Sequence, residues 1–293
     1  MPSHANQKKE NQIMATTQHT AAVGFIGLGD QGAPIARAIA EAGFELHAWA
    51  RKARSLDALA GVRYVAHGSP AELGAVSDIV GLCLNVDDNV REIMTRGGLL
   101  AAMRPGSVLV NHGTGLPAFA LEMTRLAKEH GVEVLDAPVS GGHAGAVAKT
   151  LVTLVGGEPA VIDRCRPVFD SFSSKVAVMG GAGTGQMAKL INNALLMANQ
   201  ENLRDMLAIA DGMRVEISAL VDVLRAGTSS SRALQLLGSA VTSENADHLR
   251  EMQLVDMDIF ADAVHDLGDS AADFTNRAVR GAEALPELAA RIH

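Results

Sequence analysis

Aromatic side chains are scarce: one Trp, one Tyr and seven Phe make up 3% of 293 residues. The core must therefore be filled by Ala, Val, Leu, Ile and Met, and a hydrophobic content of 48% is enough to build one. Cysteine is nearly absent. Cys83 and Cys165 stand alone, which excludes a disulfide framework and reads as two reduced core thiols in a cytoplasmic protein. Positive charge is short as well, since 25 Lys and Arg face 33 Asp and Glu for a net charge of -8. A nucleic-acid partner needs a basic surface to neutralise phosphates, so none is expected. No run approaches the roughly 18 uninterrupted apolar residues of a membrane span, so no membrane partner is expected either. The ten histidines are scattered without paired metal-ligand spacing, and no metal site is expected. Residues 1–20 are polar, with Lys8-Lys9 and no apolar run behind them. They read as a flexible tail rather than a signal peptide, with Met14 as an alternative start.

What the chain does have is alternation. Short apolar runs at 21–26, 45–49, 79–84, 108–110 and 132–135 are separated by helical patterns such as 34–41 and 118–129. Two further runs, 151–155 and 176–179, extend the series. Strands alternating with helices at this spacing predict a parallel sheet covered on both faces. After Gly185 the pattern becomes helical throughout, with Pro286 the only proline. Residues 186–211 read as one long helix, apolar on most faces and expected to be buried where two domains meet. The boundary is placed near Gly183.

Gly27-Leu28-Gly29-Asp30-Gln31-Gly32 fits G-x-G-x-x-G between the first apolar run and the first helix. In that context the glycines permit a tight turn, close approach of a pyrophosphate and close helix–strand packing. The helix start then presents free N–H groups to phosphate. A dinucleotide cofactor is expected, and with it an α/β fold class: an N-terminal Rossmann domain with a doubly wound parallel sheet over 21–183. A smaller all-α domain over 184–293 follows, joined by the long helix. At the end of the second strand an NAD enzyme usually places Asp or Glu. Here the chain reads Ala50-Arg51-Lys52-Ala53-Arg54, with no acid and three cations. A guanidinium can grip a 2′-phosphate that a carboxylate would repel, so Arg51, Lys52 and Arg54 point to NADP (NADPH).

Two more segments carry chemistry. Ser140-Gly141-Gly142 follows the fifth run, where ligands of a parallel sheet lie, and exposes a hydroxyl and open backbone N–H groups able to hold a carboxylate. The long helix carries Lys189 and, four residues on, Asn193 on the same face, while Asn192 is expected to point elsewhere. A lysine flanked by Met187, Ala188, Leu190 and Ile191 needs either a functional role or a paired one, because buried ammonium is costly. Lys149-Thr150 does not complete a P-loop, since His143 and Ala148 stand where glycine is needed. His112 and His143 flank these segments and are either near the substrate or polar loop residues without a role.

Together these motifs resemble the β-hydroxyacid dehydrogenase family, which includes 3-hydroxyisobutyrate dehydrogenase and tartronate semialdehyde reductase. Gly24-Phe25-Ile26-Gly27-Leu28-Gly29 resembles its opening, Asp136 to Gly142 its substrate segment, and Gly183 to Asn193 its Gly-rich approach to Lys-x-x-x-Asn. The resemblance implies an NADP-dependent oxidoreductase acting on a small β-hydroxyacid or its semialdehyde. It implies Lys189 as catalytic acid/base, Ser140, Gly141 and Gly142 as carboxylate binders, and Asn193 as substrate ligand. Thr114, Leu84, Asn85 and Gly183 would border the cofactor, and the all-α domain would pair subunits into a homodimer or homotetramer. The chain departs from the family pattern in four places. Asp-x-Ser-Thr reads Asn111-His112-Gly113-Thr114, and the helix expected to carry Lys-Asp reads Met257-Asp258. Nine residues before Met257 an aromatic is replaced by His248, taken as a substrate-binding position, and Gly-Thr after the substrate loop is Lys149-Thr150. These changes leave two rival readings: an NADPH reductase of another electrophile, such as an imine or non-carboxylate aldehyde, and a non-catalytic cofactor-binding assembly protein.

Overall fold

A computed structural model describes residues 21–84 and 86–292, so the expected N-terminal tail and Asn85 lie outside the described residues. Nine strands form one sheet: β1 Ala22–Ile26, β2 Glu45–Trp49, β3 Val65–Ala66, β4 Ile79–Leu82, β5 Val108–Asn111, β6 Glu133–Asp136, β7 Val139–Ser140, β8 Leu151–Gly156 and β9 Ser173–Gly180. Their order is β3-β2-β1-β4-β5-β6-β8-β7, with β9 beside β8. The first six strands are parallel. Their central members are apolar without alternation, as β4 (IVGL) and β5 (VLVN) show, because both faces are covered. Helices α1 Gly32–Glu41 and α7 Pro159–Phe169 pack on one face through Ile35, Ile39, Ile162 and Phe169. On the other lie α2 Pro70–Val76, α3 Asp87–Met94, α4 Leu99–Ala102 and α5 Pro117–Lys128, with Leu73, Ile93, Leu99 and Met123 inward. The fold is the doubly wound α/β arrangement, and the strand order reverses at β1, where such sheets open a ligand crevice.

The far edge departs from a purely parallel sheet. β7 and β6 pair antiparallel to β8. Only the short helix α6, Gly142–Val147, lies between β7 and β8, and a parallel return needs a crossover of a dozen or more residues. The two-residue strands β3 and β7 were not foreseen, being too short for any periodicity to register.

The second domain is helical: α8 Thr184–Gly212, α9 Ile217–Ala226, α10 Arg232–Leu236, α11 Ala246–Val264, α12 Asp269–Glu283 and α13 Leu285–Arg291. At 29 residues α8 is roughly 44 Å long. Leu190, Ala194 and Met197 pack on Met257, Phe260, Ala278 and Ala282, joining α8 to α11 and α12. The expectation that α8 is buried on most faces does not hold. Ile191, Leu195, Met206, Ile209 and Met213 form an open stripe, each between 47% and 71% exposed.

Candidate active site

The glycine turn separates its three roles by steric room. Gly27 has φ +100°, and a Cβ there would lie 2.1 Å from the Cys83 carbonyl oxygen. A Cβ on Gly32 would lie 1.8 Å from the Gly27 carbonyl oxygen, so helix α1 can approach β1 only without one. Around Gly29 nothing would meet a Cβ within 4 Å. The middle glycine thus faces open space at the mouth of the crevice, which is the room a pyrophosphate needs, and the residues present fit a dinucleotide. Leu28, Asp30 and Gln31 complete the turn, with Gln31 as the residue before α1.

Leu84 leaves β4 between this turn and the segment after β5. Its carbonyl oxygen is 2.1 Å from where a Gly113 Cβ would stand, so the hydroxyl-bearing side chain missing at Gly113 has no room here. Asn111 closes that turn by accepting the Gly113 N–H at 3.1 Å. Gln186, on the first turn of α8, then clamps both sides of half-buried Thr114: its oxygen accepts the Gly115 N–H at 2.9 Å and its nitrogen donates to the Gly113 carbonyl at 2.8 Å. Asp87 accepts the Leu116 N–H at 3.0 Å. Past β2, Arg51, Lys52 and Arg54 are all exposed, and Arg51 Nη2 lies 3.4 Å from Glu92 Oε2 on α3.

Asp136, at the end of β6 and 1% exposed, is the joint between sheet and helix. Its two oxygens accept the N–H groups of Gly183 at 2.7 Å and Gln186 at 2.9 Å. Burial pushes its carboxyl upward, and these backbone donors oppose the rise. The start of α8 is therefore bolted to the carboxyl ends of β5 and β6, and Lys189, one turn along, is held at that end of the sheet. Burial lowers the Lys189 amine below the usual lysine range, and the charge of Asp256 on α11 works against the shift. Asp256 itself is pushed up by burial and held down by Lys189 and by a 2.7 Å hydrogen bond donated by Asn193 Nδ2.

Asn192 does not point away. Its Nδ2 lies 3.0 Å from Asn193 Oδ1 and donates a long bond, 3.5 Å, to Ser140 Oγ. A polar chain thus runs Ser140–Asn192–Asn193–Asp256 beside Lys189. Gly141 and Gly142, with φ of +134° and +63°, carry the backbone from Ser140 into α6. There His143 Nδ1 meets the Asp30 carbonyl at 2.7 Å and ties the substrate loop to the glycine turn.

The structure also places His248, the Met257-Asp258 pair and His112. His248 is exposed in the first turn of α11, eight residues and about 12 Å along the axis from Asp256. Met257 is a core residue packed with Leu190 and Phe260, and Asp258 is exposed, so the α11 residue whose charge acts on Lys189 is Asp256. His112 is buried against Phe25, Phe169 and Phe172 and bonds the Ala137 carbonyl at 2.9 Å. Burial moves its pKa down to about 4. Asp136, Gln186 and Asp256 were missed as site residues. A signal for Asp256 existed: Met257, Phe260 and Val264 recur at helical spacing, which places residue 256 at the edge of that buried face.

A glycine turn with an open middle position, at the strand-order reversal of a doubly wound sheet, and a long helix bolted by its first turn to the ends of the same sheet are the architecture of a nicotinamide-linked oxidoreductase. Residues 22–181 match the family model of the NAD-binding domain of 6-phosphogluconate dehydrogenase, and 183–279 that of the NAD-binding domain of NADP-dependent 3-hydroxyisobutyrate dehydrogenase. The chain belongs to the β-hydroxyacid dehydrogenase family. Among its relatives is the NAD-dependent L-serine dehydrogenase of Pseudomonas aeruginosa, 32% identical over 73% of this chain and 72% of that one. The 2-hydroxy-3-oxopropionate reductase of Escherichia coli is 31% identical over 74% of each. In structure, 3-hydroxyisobutyrate dehydrogenase of Mycobacterium tuberculosis, solved with L-serine, superposes with a TM-score of 0.81 at 29% identity, over 93% of this chain and 96% of that one. The protein is accordingly an NAD(P)-linked enzyme of the class that interconverts alcohols and carbonyls.

Proposed function

We propose that the chain is an NADP-dependent dehydrogenase or reductase of a small β-hydroxyacid or its semialdehyde, with Lys189 as acid/base. The observation that carries this reading is the placement of Lys189. Asp136 and Gln186 fix the start of its helix to the carboxyl ends of the sheet strands, and burial lowers its amine below the usual lysine range. The turn from Gly27 to Gly32, with Leu84, Thr114 and Gly183, would hold the dinucleotide. When bound, the nicotinamide supplies or accepts the hydride. Lys189 gives its proton to the developing alkoxide in reduction, and its neutral amine takes the hydroxyl proton in oxidation. Ser140 Oγ and the N–H groups of Gly141 and Gly142 anchor the carboxylate, while Asn193, braced by Asp256 and Asn192, orients the reacting oxygen. Positioning of this kind supplies roughly 7–11 kcal/mol of barrier reduction.

NADP is supported by the exposed Arg51 and the lack of an acid at the end of β2, and by the NADP-dependent enzyme named for the second matched domain. The P. aeruginosa relative is NAD-dependent, so the choice turns on this chain's own residues. A second reading, reduction of an electrophile without a carboxylate, draws on one observation: α11 brings an acid, Asp256, toward Lys189 and no second lysine. The helical domain is proposed to pair subunits through the α8 stripe, in a cytoplasmic homodimer or homotetramer.

NADPH oxidation is to be assayed against small semialdehydes, 2-oxo acids and imines, each repeated with NADH. A semialdehyde substrate used with NADPH is expected. Lys189→Ala should lower kcat/KM by about 10²–10⁴-fold and leave NADPH affinity unchanged. Near-wild-type turnover by that variant would overturn the acid/base assignment.

A further inference from the structure

The adenosine end of the crevice holds an ion pair that the chemistry above does not use. Arg51 lies just past β2, and Glu92 sits in α3, the helix that follows β4. In the sheet β1 lies between β2 and β4. The pair, at 3.4 Å, therefore reaches across the end of the strand that carries the glycine turn. Both side chains remain half in water, at 59% and 51% exposure, so the contact is free to open. Lys52 and Arg54 make no ion pair among the described residues. Among the described residues, the one carboxylate ion-paired with this cationic cluster is Glu92 of α3.

We infer that Glu92 is a cofactor-selecting residue: its carboxylate competes with a 2′-phosphate for the Arg51 guanidinium and narrows the preference for NADP over NAD. This rests on the reading of Arg51 given above. A guanidinium binds phosphate best through two parallel N–H donors, and a terminal nitrogen held by Glu92 is not free to be one of them. A dianionic phosphate arriving at Arg51 must displace the carboxylate or share the cation with it, and it meets like charge in either case. NAD carries no phosphate there, so its binding leaves the pair intact. Strands that end in Asp or Glu disfavour NADP by placing the acid on β2 itself. Here the acid is supplied from across the crevice, and it weakens the preference without reversing it. Since the pair is exposed, the effect is modest and salt-dependent.

The test is a double-mutant cycle on the full chain. Dissociation constants of NADPH and NADH are read by nicotinamide fluorescence for wild type, Arg51→Ala, Glu92→Gln and the double variant, with 2′,5′-ADP and 5′-AMP as competing probes. Glu92→Gln is expected to tighten NADPH and 2′,5′-ADP by about two- to fivefold at low salt, leaving NADH and 5′-AMP unchanged. The gain should vanish in the Arg51→Ala background and shrink with added salt. If Arg51→Ala weakens NADPH but Glu92→Gln leaves the NADPH-to-NADH ratio unchanged, the role of Glu92 is refuted while NADP use stands. If Arg51→Ala leaves NADPH affinity untouched, both Arg51 as phosphate ligand and Glu92 as its competitor are refuted.

Discussion

At the scale of the residue, Lys189 and Asp256 set opposite signs on each other's titration. Burial lowers the amine, and the Asp256 charge restrains that fall. With Lys189 as the proposed acid/base, reduction would need the ammonium and should fail as pH rises through the lowered lysine pKa. Oxidation needs the free amine and should gain over the same interval. Asp256→Asn removes the restraining charge, so both limbs of the kcat/KM profile should move to lower pH, measured in each direction with saturating cofactor. An unmoved profile would show that Asp256 acts only as a structural brace. His112 makes the matching argument for stability. Its folded pKa of about 4 lies below the unfolded value of about 6.5, so its contribution is fully present above about pH 6.5 and is lost as pH falls toward 4. The linked loss is about 3 kcal/mol. Urea midpoints should drop over that window, and His112→Phe should flatten the slope while giving up the Ala137 hydrogen bond. Lys189, Asn193 and Ser140 could be proposed from the sequence because each sits inside a short local pattern. Asp256 was not, because it meets Asn193 at a sequence separation of 63 and its place depends on how α11 seats on α8.

At the scale of the element, the glycine turn allows fold and ligand binding to be separated by single methyl groups. A Cβ at Gly32 collides with backbone at 1.8 Å and one at Gly29 meets nothing. Gly32→Ala should therefore lower stability by about 1–3 kcal/mol, read from the thermal or urea midpoint. Gly29→Ala should leave the midpoint unchanged and weaken cofactor binding, because the added methyl fills the space left for phosphate. If the two variants behave alike, the turn does not divide its roles in this way. Lys149 shows an element fastened at some cost. It adopts φ +58°, a conformation costly for a side-chain-bearing residue, and its ammonium reaches Glu41 at the end of α1 at 2.9 Å. Together with His143 on Asp30, it straps α6 to α1 near both ends. The glycine found here in the family pattern would relieve the backbone but provide no strap. Strands bounded by turns and helices bounded by caps were readable from periodicity. The antiparallel edge was not, because it follows from the length of the return rather than from any residue's preference.

At the scale of the whole molecule, α8 divides its surface between three tasks. Its first turn is bound to the Rossmann sheet through Asp136 and Gln186, and one face packs on α11 and α12 through Leu190, Ala194 and Met197. Its remaining face exposes Ile191, Leu195, Met206, Ile209 and Met213. Ile191 and Leu195 lie one turn apart and Met206, Ile209 and Met213 follow at three- and four-residue intervals, with Asn199 and Asn202 between the two groups, so one line of the helix carries two apolar patches. Residue 191 adjoins the Lys189 turn, so the line of exposed apolar residues begins beside the proposed active site and runs outward along the helical domain. The proposed pairing of subunits would cover it with the same strip of a second copy, a self-complementary arrangement suited to a two-fold axis. Met206→Glu with Ile209→Glu places like charges face to face in such a pair. The double variant should sediment as a monomer where the wild type sediments as a dimer or tetramer, with helical content retained by circular dichroism. These residues lie about five turns beyond Lys189, so NADPH affinity should be unaffected by the substitutions. Turnover tests the remaining link: if it survives in the monomer, the site is complete within one chain, and if it is lost while cofactor still binds, the α8 strip is needed to hold Lys189 and its asparagines in register.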